Sequence, residues 1–77
     1  MWTRDEIVED LKKLAASGEK PDIFQLKMKY GYNLNSELFP LLENIRITVP
    51  ELTGFIGEIF KRVKDLRDLQ YIFGRIA

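Results

Sequence analysis

Asp22-Ile23-Phe24-Gln25-Leu26-Lys27-Met28-Lys29-Tyr30-Gly31 decides the fold class, because it reads in two ways. Phe24, Leu26, Met28 and Tyr30 alternate with Gln25, Lys27 and Lys29, which is the period of two expected of a half-buried strand. Read as a helix, Asp22 and Gln25 supply an N-terminal cap and Gly31 a C-terminal stop. That helix sets Lys27 inside the apolar arc, where its stem must lie along apolar surface while its ammonium reaches water. No β-branched residue follows Ile23, and Gln, Leu, Lys and Met are good helix formers. The helix is therefore preferred and the chain expected to be all-α. A small α+β domain, with strands near Phe24–Tyr30 and Ile45–Val49, is the alternative.

Toward the N-terminus the pattern is plainer. Thr3 and Glu6 have capping-box spacing, and Trp2 and Ile7 flank them as a hydrophobic staple. Ile7, Leu11, Leu14 and Ala15 recur at helical spacing. Acids (Asp5, Glu6, Glu9, Asp10) lead and bases (Lys12, Lys13) trail, as the helix dipole favours. Ser17-Gly18 closes this helix, with Pro21 just beyond.

Toward the C-terminus, Tyr32 to Ser36 reads as a connector. A short helix is expected over roughly Glu37 to Asn44, with Pro40 in its first turn, since a deeper proline breaks the hydrogen-bond ladder. Ile45 to Val49 alternates briefly, a pattern that leaves helix and an extended segment both open. Thr48 and Glu51 form a second capping-box pattern around Pro50 and announce the longest helix. On it Leu52, Phe55, Ile56, Ile59, Phe60, Val63 and Leu66 make one broad apolar face. Glu58–Arg62, Lys61–Asp65 and Lys64–Asp68 are favourable pairs four residues apart. Beyond Leu66 the pattern rotates: Leu69, Ile72, Phe73 and Ile76 form a second stripe, centred about 100° around the helix from the first. Either the helix breaks near Arg67-Asp68 or its tail faces a different neighbour.

The 77 residues allow one domain, expected over 1–77. A domain this small buries only roughly 60% of its unfolded surface, so it needs tight packing, a covalent or metal staple, or oligomerisation. There is no cysteine and no histidine, which excludes disulfides, thiolate metal sites and the usual neutral-pH general base. Apolar residues make up 45% of the chain and nine residues are aromatic (five Phe, three Tyr, one Trp), too many for a disordered tail. Twelve cations balance twelve anions, so no strong field for nucleic acid or anionic lipid exists. The charged opening Met1-Trp2-Thr3-Arg4-Asp5-Glu6 has no apolar signal core, and Val49 to Phe60 is too short and too acidic to span a bilayer. The expected setting is the cytoplasm, without membrane contact.

Catalytic chemistry finds little footing. A nucleophile needs a neighbouring base, and Ser17 and Ser36 read as a helix stop and a cap. The carboxylates Asp5, Glu6, Glu9 and Asp10 lack the several-helix or calcium-loop spacing of a metal site. Gly54-Phe55-Ile56-Gly57 has the glycine spacing of the nucleic-acid clamp in KH domains, but its middle residues sit on the apolar stripe instead of facing a phosphate backbone. No catalytic, metal or cofactor residues are assigned, and no cofactor is expected.

Two binding readings remain. In the favoured one the chain is a non-catalytic protein-interaction or assembly module of about four helices, three short and one long. It is expected to form a homo-oligomer through Leu69, Ile72, Phe73 and Ile76, since contiguous apolar surface marks interaction sites. In the alternative, Asp22 to Leu42 forms a helix-turn-helix, and a small DNA-binding regulator meets phosphates through Lys27, Lys29, Lys61, Arg62, Lys64 and Arg67. Pro40 in the recognition helix, and Glu37 and Glu43 facing acidic DNA, weigh against it.

Overall fold

The computed structural model describes residues 2–76, with side chains for residues 2–64. Four α-helices follow one another: α1 (Arg4–Ala16), α2 (Ile23–Tyr30), α3 (Phe39–Thr48) and α4 (Thr53–Ile76). A single π-helical turn, Leu34–Leu38, leads into α3, and a 3-10 turn, Pro50–Leu52, leads into α4. The chain is all-α, with no strand among the described residues.

The α+β alternative fails at Phe24–Tyr30 for a specific reason. On α2, Ile23, Leu26 and Tyr30 are buried, while Phe24 and Met28 are 56% and 79% exposed. At about 100° per residue, Phe24 and Met28 lie on the side of the helix opposite the buried three. The strand-like alternation is thus two apolar pairs four residues apart, one facing in and one facing out. Lys27 is half-buried, as expected for a stem laid along the core.

Caps define the first two helices. Thr3 Oγ1 accepts from the Glu6 amide at 3.2 Å and Glu6 Oε1 accepts from the Thr3 amide at 2.8 Å. Asp22 and Gln25 repeat this box at 2.8 and 3.1 Å. At the end of α1 the Gly18 and Glu19 amides donate back to the Ala15 and Leu14 carbonyls at 3.2 and 3.1 Å. That pair of bonds needs Gly18 at φ 74°, a left-handed conformation open to glycine. Gly31, also left-handed at φ 77°, closes α2 with a single bond, its amide donating to the Lys27 carbonyl at 3.0 Å.

The middle of the chain departs from its sequence reading. Ile45–Thr48 is not extended: it continues α3, which Pro40 opens within its first turn, and only Val49 is extended. Packing overrides the β-branched preference, because Ile45 is fully buried and Arg46 pairs with Glu43 at 2.5 Å. Nor do Thr48 and Glu51 cap α4. The Thr48 hydroxyl donates to the Asn44 carbonyl at 2.8 Å, one turn back within α3, and α4 starts at Thr53. Arg4 locks the same helix end to α1, donating to Asn44 Oδ1 at 3.2 Å and Thr48 Oγ1 at 2.7 Å.

The core draws on every helix: Ile7, Val8 and Leu11 from α1, the three inward residues of α2, Leu42 and Ile45 from α3, and Ile56 and Ile59 from α4. Leu38 and Leu52 fill it from the two turns, and Phe39 meets Phe60 with ring centroids 5.8 Å apart.

Candidate functional site

The stripe Leu69, Ile72, Phe73 and Ile76 lies outside the residues whose side chains are described. The helix carrying it does not break near Arg67-Asp68; α4 is continuous to Ile76. Phe55, Phe60 and Val63 border the core together with the buried Ile56 and Ile59. From Lys64 to Ile76 the helix runs a further 13 residues, a rise of about 20 Å.

Of the six residues of the DNA reading, Lys29 and Arg62 make polar contacts within the chain. Lys29 Nζ lies 2.9 Å from Asp10 and 5.7 Å over the Trp2 ring. Arg62 donates to the Glu58 carbonyl at 3.3 Å and the Lys20 carbonyl at 3.0 Å, bracing the loop after α1. Lys61 and Lys64 are exposed, Lys27 is half-buried, and Arg67 lies outside the described side chains. Two of the six are thus committed to contacts within the chain.

The acidic face of α1 borders a shallow groove of about 430 Å³ with Trp2 and Lys13. Each acid there already has a structural partner. Asp5 lies 3.6 Å from Arg4, Glu9 lies 3.7 Å from Lys12, and Glu6 serves the Thr3 cap. Asp10 accepts from the Tyr30 hydroxyl at 2.6 Å and from Lys29. Partial burial raises the Asp10 pKa, but the Tyr30 and Lys29 hydrogen bonds and the nearby ammonium charges outweigh it and hold the carboxyl below its ordinary value. Burial, then the Asp10 bond, drive the Tyr30 phenol far above its usual range. A tyrosine that holds its proton so firmly is a poor general acid near neutral pH, so the pair reads as a helix-to-helix tie. Among the described residues no three acids gather as a metal site.

Ser17 donates its hydroxyl to the Leu14 carbonyl at 3.1 Å, in keeping with a helix stop. Two further grooves, of about 350 and 310 Å³, flank the Glu19-Lys20 loop and share those two residues. Both mix cations with carboxylates over small apolar floors, and neither holds a base beside a nucleophile.

Phe24 and Met28 were not singled out by the sequence reading as a surface. Their signal was present in the spacing of four, opposite Ile23, Leu26 and Tyr30, once α2 is taken as a helix. Alone, two side chains offer far less than the roughly 1,200–2,000 Å² buried in a stable interface. Among the described residues, no helix is long and apolar enough to cross a membrane. Comparison with family models, curated proteins and solved structures found no match for this chain.

Proposed function

We propose that this chain is a non-catalytic interaction and assembly module that works in the cytoplasm and self-associates through the tail of α4. The observation that carries the reading is the length of α4. It reaches Ile76 as one helix, 13 residues beyond Val63, and the tail sequence brings a second apolar stripe, Leu69, Ile72, Phe73 and Ile76, on a rotated face.

The dimensions support this. The Cα radius of gyration is 13.4 Å and the long axis 43 Å, against a radius of about 11.5 Å for a compact chain of this length. A helix that outruns its globule, in a chain with no disulfide to staple it, gains most from a partner helix. The outward pair Phe24 and Met28 adds apolar surface that the core does not use.

Sedimentation equilibrium from micromolar to millimolar concentration tests the proposal. The mass should rise from the 9.0 kDa of one chain toward twice that value. A mass fixed at one chain throughout the range overturns it.

A further inference from the structure

We draw no further inference here: the strongest candidate, the outward apolar face of α2 formed by the exposed Phe24 and Met28, carries none because nothing in the structure shows what covers it.

Discussion

The Tyr30 hydroxyl donates to Asp10 Oδ2 at 2.6 Å, tying α2 to α1 across 20 positions of sequence. Tyr30 is 1% exposed and its ring lies against Trp2 with centroids 5.0 Å apart. Removing only the hydroxyl keeps this packing and withdraws a hydrogen bond to a charged group. Tyr30→Phe should cost about 1.5 kcal/mol, toward the lower end for such bonds, because Lys29 continues to pair with the carboxylate. Urea melts should show a lower midpoint with an unchanged slope. An unchanged midpoint would show the tie to be inert.

The same pair bounds stability on both sides of neutrality. Asp10 is held below its ordinary pKa in the folded chain, so its contribution is present above about pH 4 and is lost as pH falls through the folded value. Glu6, through its bonds with Thr3, and Glu43, through its pairing with Arg46, are lowered as well and act in the same direction. Tyr30 is raised, chiefly by burial, so its contribution is complete below about pH 10 and is lost as pH climbs above that. The melting temperature should stay level from about pH 5 to 9 and fall on either side. In Tyr30→Phe the alkaline fall should shrink.

Two glycines should respond to alanine with opposite signs. Gly57 lies within α4, and a Cβ added there meets no atom within 4 Å. Gly57→Ala should therefore stabilise by about 1 kcal/mol through helix propensity. Gly31 sits at φ 77°, where alanine is strained, and Gly31→Ala should cost about 1 kcal/mol. Thermal melts of the two variants, compared with wild type, check the contrast.

What could be read directly from sequence were the features closed within one turn. Thr3 with Glu6, and Asp22 with Gln25, are bonds between residues three apart, and neither depends on a distant neighbour. Thr48 with Glu51 has the same spacing and yet does something else. A hydroxyl near a helix end can cap the next helix or bond back into its own, and local spacing does not separate the two outcomes. Burial of Ile45 and the Arg4 clamp on Asn44 and Thr48 go with the second, and the clamp reaches them from 40 and 44 positions away in sequence. The Asp10–Tyr30 tie was hidden for the same reason: nothing in α1 alone separates a dipole-stabilising acid from one awaiting a tyrosine. In the candidate interface, the rotation of apolar positions after Leu66 could be read from the sequence, and continuity of the helix beneath it came from the structure.

The tail stripe yields the prediction that most directly separates an interface from ordinary core. Ile72 and Ile76 lie one turn apart on α4, 9 and 13 residues beyond Val63. Glutamate at both places sets charges where a partner helix would exclude water, and an unpaired buried charge costs several kcal/mol. Dissociation relieves that cost if the stripe faces a partner, because each carboxylate then meets solvent. Ile72→Glu with Ile76→Glu should therefore give a monomer with helicity retained, and its melting temperature should no longer depend on protein concentration. Were the stripe packed inside its own chain, no dissociation could hydrate the charges and the domain itself would melt. Sedimentation together with far-ultraviolet circular dichroism reads both outcomes on one sample: a folded monomer supports the interface, and an unfolded chain assigns these residues to the core.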